Sequence, residues 1–110
     1  MEERIENLYN YLVEKKCKDI SLYLSNIDDN KQYIFVFTNT NILNNKKFAQ
    51  TLMEDMDLDI FPEGYHKGEW IVFDFGDIVL HCFVPSAREK YSLDKLYHSK
   101  KIMIEKQNKK

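Results

Sequence analysis

Glycine is scarce in this 110-residue chain: three residues, scattered at 64, 68 and 76, which build no phosphate-cradling loop. Cysteine is nearly as rare. Cys17 and Cys82 lie far apart, outside any CxxC or His-rich cluster, so neither a disulfide framework nor a zinc site is expected. Reduced thiols in a cytoplasmic protein are the expectation instead. No apolar run approaches the roughly 20 residues that span a bilayer, so no membrane partner is expected. The opening MEERIENLYNYL lacks the basic region and apolar core of a signal peptide. Base is scarce in the middle of the chain. Residues 54–77 hold eight acids (Glu54, Asp55, Asp57, Asp59, Glu63, Glu69, Asp74 and Asp77) against one base, Lys67.

What is present points to a globule. The apolar fraction is 44% and the aromatic fraction 14%, enough for a core in one domain over residues 1–99. Residues 100–110 read as a basic, flexible tail. The acidic middle repels nucleic acid and suits a basic protein partner; a plain solvated surface is the alternative. The tail can touch RNA phosphates without specificity, or merely keep the chain soluble.

Periodicity sets the element order. Residues 3–16 place Ile5, Leu8, Tyr9, Leu12 and Val13 on one helical stripe. Residues 19–25 alternate, with Ile20, Leu22 and Leu24 on the buried side of a half-buried strand. A turn over 26–31 leads to Tyr33–Phe37, a continuous apolar run suited to a central strand covered on both faces. An Asn-rich loop over 38–45 supplies Asn44 or Asn45 as helix cap. Phe48, Ala49, Leu52, Met53 and Met56 then mark a second helix. Residues 58–61 suggest a short strand. Trp70–Phe75 and Ile78–Val84 are strands joined at Gly76-Asp77, with glycine first as a type II′ hairpin requires. Ser86 and Glu89 have capping-box spacing, followed by Leu93, Leu96 and Tyr97 on the apolar side of a short helix. The expectation is a mixed α/β fold of the α+β type: a small mixed sheet flanked by helices in the order α-β-β-α-(β)-β-β-α.

The Gly76-Asp77 loop fixes a register in which opposed residue numbers sum to 153. Ile71, Phe73, Phe75, Ile78, Leu80 and Cys82 then share a wholly apolar face. Trp70, Val72, Asp74, Val79, His81 and Phe83 share the other, which mixes a carboxylate and an imidazole with large apolar groups. Asp74 and His81 are diagonal neighbours, close enough for an ionised carboxylate to favour a charged imidazole. Three uses compete: pinning the hairpin register, recognising a partner, and acid–base catalysis. Nothing nearby supplies a nucleophile with a base and an orienting group. His66 and His98 lack metal-ligand spacing to His81. Asp77 reads as a turn residue bonding its local backbone. Arg88 and Tyr91, three apart, share a helix face that packs on the hairpin or meets a partner.

Over residues 63–97 the chain resembles the ribosomal silencing factor family, also called Iojap-like. The resemblance rests on Glu63-Gly64, Trp70-Ile71-Val72, Asp74-Phe75-Gly76-Asp77, Val79, His81, Arg88, Tyr91, Leu93, Asp94, Leu96 and Tyr97, in the family's order and spacing. Asp19-Ile20 extends it toward the N-terminus. Departures occur at Gln32, at Ser86, at Tyr97 and across Thr38–Asn44, where the family's Gly, Arg and His are replaced. The resemblance implies a fold related to nucleotidyltransferases without their catalytic carboxylates. It implies a non-enzymatic factor that binds the large ribosomal subunit through its protein fourteen, blocks small-subunit joining, and is able to form a homodimer when free. No cofactor, metal or specific nucleic acid is expected. The partner-binding candidates are Trp70, Asp74, His81, Arg88 and Tyr91, with Glu63 and Asp77 as acidic contributors. The competing class is a residual nucleotidyltransferase-like enzyme, which would need Asp74 and Asp77 to converge on a divalent metal. A further alternative is a relative that keeps the fold without ribosome binding.

Overall fold

A computed structural model describes residues 2–98 and 101–102. Helix α1 (Glu3–Glu14) begins with Glu3 and Glu6, whose charges favour the positive end of the helix dipole. It buries Ile5, Leu8, Tyr9 and Leu12. Val13, the fifth member of the expected stripe, is instead 49% exposed.

Strands β1 (Lys18–Ile27) and β2 (Asn30–Thr38) form an antiparallel hairpin. Its loop, Asp28-Asp29, holds both residues at positive φ, as a two-residue type I′ turn demands. Aspartate tolerates that backbone better than most side chains.

Helix α2 (Ile42–Asp55) carries the chain across the sheet. Its cap is Asn41, whose side chain accepts from the Asn44 amide at 2.9 Å, rather than Asn44 or Asn45. Asn45 is withheld from capping because it is fully buried. Its amide donates to the Gly68 and Cys82 carbonyls and its oxygen accepts from Asn39. The strand expected at 58–61 does not form. Ile60 and Phe61 are exposed there, and the nearest sheet contact is a single bridge between Glu63 and Val72.

Strands β3 (Trp70–Asp74) and β4 (Ile78–Phe83) pair in the expected register, from Trp70 opposite Phe83 to Asp74 opposite Val79. Gly76 alone of the turn pair has positive φ, and the Phe75 amide donates to the Ile78 carbonyl at 2.8 Å. Beyond β4 the chain turns into α3 (Pro85–Tyr91) and α4 (Leu93–Leu96). Pro85 takes the first helical position and Val84 the cap, so Ser86 makes no cap bond and the expected capping box is absent. Proline's fixed φ suits that first turn and forces the preceding residue into extended backbone. Ser92, in left-handed backbone, breaks the expected single helix into two. Leu96, expected on the apolar side, is 68% exposed.

The sheet order is β3-β4-β2-β1-β5, where β5 (Lys101–Ile102) pairs with Tyr23 and Leu22 at the β1 edge. Most of the basic tail expected over 100–110 lies outside the described residues. β2 and β4 are parallel neighbours, linked through α2, and every other pairing is antiparallel.

Helices α1 and α2 cover one sheet face. Leu22, Phe35, Phe37, Ile71, Phe73, Leu80 and Cys82 pack beneath them. The other face carries Tyr23, Ile34, Val36 and Phe83, packed with Val84, Ala87, Leu93 and Tyr97. β2 is thus buried on both faces, as its apolar run requires. β1 is more than half-buried, because Ser21, Tyr23 and Ser25 on its second face are enclosed too.

Candidate partner-binding face

Three rows of side chains cross the second face of the sheet. Trp70 opposes Phe83, Val72 opposes His81, and Asp74 opposes Val79; Thr38, Val36 and Ile34 of β2 extend the rows. The α3–α4 segment roofs the β1–β2 end, through Ala87, Leu93 and Tyr97. The β3–β4 corner keeps Trp70, Val72 and His81 partly exposed and leaves Asp74 exposed.

The rings at this corner pack together, with Trp70 stacked on Phe83 and tilted against His81 and Tyr91. The Trp70 ring lies 5.0 Å from Phe83, 5.9 Å from His81 and 4.7 Å from Tyr91, measured between centroids. Tyr91, on the last turn of α3, is 43% exposed and forms the outer wall. Indole Nε1 donates to His81 Nδ1 at 3.0 Å. His81 is diagonal to both Asp74 and Trp70, and it is Trp70 that it bonds. The expected Asp74–His81 pairing is therefore corrected. Burial pushes the imidazole down to about 4, outweighing the pull of the Asp74 carboxylate in the other direction.

The carboxylates at the turn differ from their expected duties. Asp74 accepts from the Gly76 amide at 2.9 Å and so supplies the local backbone bond expected of Asp77. Asp77 reaches Arg4 of α1 instead, at 2.7 Å, with both side chains about half exposed. Asp74 belongs to the His81 face while Asp77 pairs with the helix on the opposite face, so the two do not converge as a metal pair requires. Among the described residues no group of three His, Cys, Asp or Glu side chains could hold a metal ion.

Arg88 and Tyr91 diverge, contrary to the shared face expected of them. Tyr91 turns to Trp70, whereas Arg88 turns to β1 and β2. Its Nε and Nη2 grip the Asp94 carboxylate at 2.9 and 3.0 Å. Nη1 donates to the Asp19 carbonyl at 2.5 Å and the Thr38 hydroxyl at 3.0 Å, and Nη2 to Ser21 Oγ at 3.3 Å. Asp94 also accepts from Tyr23 at 2.5 Å. Hydrogen bonds from Arg88 and Tyr23 hold its carboxyl below the usual range, against the upward push of partial burial. A groove of about 620 Å³ borders this network, between Lys18, Thr40 and Glu89, away from the Trp70 rings.

Glu63 is exposed beside the β3 edge. Its backbone exchanges both hydrogen bonds with Val72, at 3.1 and 2.9 Å. The structure thus brings Trp70, His81 and Tyr91 together, sets Asp74 and Glu63 around them, and sends Arg88 and Asp77 elsewhere. Phe83 joins the ring cluster as the hairpin register requires. Leu43, on the first turn of α2, is 66% exposed and had no signal marking it in the sequence.

A family model described as RsfS, ribosomal silencing factor during starvation, matches residues 1–110. A ribosomal silencing factor RsfS from Chromobacterium violaceum is 33% identical over 54 residues, 48% of this chain. That stretch spans 44% of the relative's own length, less than half of it. A crystal structure of a Chromobacterium violaceum protein superposes with a TM-score of 0.72 at 28% identity, covering 96% of this chain and 93% of that one. A Bacillus halodurans structure shares the fold, with a TM-score of 0.70 at 20% identity over 93% of this chain and 98% of that one.

Proposed function

Because the chain belongs to the family of ribosomal silencing factors, we propose that it binds the large ribosomal subunit through that subunit's protein fourteen and blocks small-subunit joining. Translation is thereby damped when nutrients are short. The mechanism is steric: a folded body seated on the intersubunit surface excludes the small subunit, with no chemical step and no cofactor. The protein acts in the cytoplasm, and it is able to form a homodimer when free of the ribosome.

The observation that carries this reading is the ring cluster of Tyr91, Trp70 and Phe83 at the open corner of the sheet. A partly exposed tryptophan beside an exposed tyrosine is the side-chain chemistry that dominates protein interfaces. Asp74 and Glu63 flank it with negative charge, which complements a basic ribosomal protein. Trp70, His81 and Tyr91 form the centre of the site, with Asp74 and Glu63 at its rim. Arg88 serves it indirectly, by fixing the helix that carries Tyr91.

Co-sedimentation with purified large subunits tests the proposal. Wild type should pellet with them at low salt and reduce 70S formation when small subunits are added. Trp70→Ala should weaken pelleting by roughly tenfold or more, as loss of a central aromatic anchor does. Lys106→Ala should leave it unchanged. Wild type that stays in the supernatant removes the proposal, and equal losses in both variants move the contact to the tail.

A further inference from the structure

Trp70 is the chain's one tryptophan. Its ring is held by Phe83 at 5.0 Å, Tyr91 at 4.7 Å and His81 at 5.9 Å. Its one polar atom is already spent, since Nε1–H donates to His81 Nδ1 at 3.0 Å. That bond needs a lone pair on Nδ1, so the imidazole must be neutral with its proton on Nε2. Burial keeps it neutral at ordinary pH, with the pKa pushed down to about 4. The indole therefore has no donor to offer a partner. What it can present is ring surface, in one orientation.

We propose that His81 is a positioning residue for partner binding: by accepting the indole N–H it fixes the Trp70 ring against Phe83 and Tyr91, so that the partner packs on Trp70 as a pre-set apolar surface. This rests on the reading of the Trp70 corner as the ribosome-binding face. The physical gain is preorganisation. A ring locked before association loses less conformational freedom when the partner arrives. It follows that His81 acts through Trp70 and adds nothing of its own when the indole N–H is gone.

A double-mutant cycle measures that dependence. Large-subunit binding is compared for wild type, His81→Phe, Trp70→Phe and the double variant, with His81→Asn as the conservative control. Asn places a carbonyl oxygen where Nδ1 stands. His81→Phe should weaken binding about tenfold, the order expected for one lost orienting hydrogen bond, and His81→Asn should stay within about threefold of wild type. Trp70→Phe and the double variant should bind alike. Intrinsic fluorescence of the unbound protein, excited at a wavelength that tyrosine does not absorb, reports Trp70 alone. His81→Phe should red-shift its emission and lower its anisotropy, and His81→Asn should restore both. Where His81→Phe does not fold, His81→Leu carries the same comparison. Wild-type binding by His81→Phe overturns the proposal. So does a loss that persists undiminished in the Trp70→Phe background, which makes His81 a direct contact. Failure of wild type itself to bind large subunits is a different result, and removes the underlying reading of the face.

Discussion

Two side chains, His81 and Arg88, had roles assigned by proximity in sequence that the packing reassigns. A histidine diagonal to an aspartate invites an ion-pair reading, but at position 81 desolvation outweighs the carboxylate and the ring stays neutral. The sign for stability follows. The unfolded chain, with the ordinary value of 6.5, binds a proton that the folded state resists until about 4. His81 therefore costs no stability above 6.5, and destabilises the fold increasingly as pH falls from 6.5 toward 4. His81→Asn, which does not titrate, should melt at a fixed offset from wild type at pH 7–8, and the offset should move in the variant's favour between pH 6.5 and 4. Thermal denaturation by circular dichroism across that range checks it; a flat offset means the imidazole is not desolvated. Arg88 gives the complementary case. Its planar fork donates to Asp94, Asp19, Thr38 and Ser21 together, a geometry lysine cannot copy. Arg88→Lys should cost about 2 kcal/mol or more and lower the melting temperature by about 8 °C or more. Asp94, whose folded pKa is depressed, contributes stability that is fully present above its ordinary 3.8 and is lost as pH falls through the lower folded value.

At the scale of elements, the loop between α2 and β3 protects an edge strand. Val72 turns its backbone N–H and C=O away from β4, where an exposed edge would offer them to another chain. Glu63 occupies both. The loop comes close enough only because Gly64 follows: it sits at φ +80°, and a Cβ there would lie 2.1 Å from the Trp70 carbonyl oxygen. Gly76, at φ +91°, has nothing within 4 Å of an added Cβ. Gly64→Ala should thus cost about 2–4 kcal/mol, from steric clash plus backbone strain, whereas Gly76→Ala should cost about 1 kcal/mol from backbone alone. Urea denaturation of the two variants separates the contributions, and equal losses would mean the loop yields without strain. The same elements show what sequence could reveal. The hairpin register was legible because its two-residue turn and period-2 alternation are local. The helix starts were not. Asn41, Asn44 and Asn45 are chemically alike, and only burial of Asn45 against Gly68 and Cys82 selects the cap. Pro85 captured the start of α3, displacing the Ser86–Glu89 pattern.

For the whole molecule, the order β3-β4-β2-β1-β5 makes the Trp70 corner a consequence of topology. α1 and α2 fill one face, and the short α3–α4 segment reaches only part of the other. That asymmetry could not be read from the chain, since the second face of β1 looked half-buried until Tyr23 met Asp94 and Tyr97. The mixed hairpin face was legible, because no other arrangement of its residues shares the apolar set. Under the proposed reading of this corner as the ribosome-binding face, the acids Asp74 and Glu63 at its rim have a kinetic consequence. Charges at an interface rim steer encounter and change association more than dissociation, within a Debye length of about 8–10 Å at ordinary salt. Glu63 is suited to the test, because its exposed side chain is separate from the backbone bonds that cap Val72. Glu63→Lys should slow association with the large subunit's basic protein several-fold at low ionic strength, leave dissociation nearly unchanged, and converge on wild type by about 0.5 M salt. Surface plasmon resonance over a salt series resolves both rates. A change confined to dissociation would instead make Glu63 a desolvated contact and shift the centre of the interface from Trp70 toward the β3 edge.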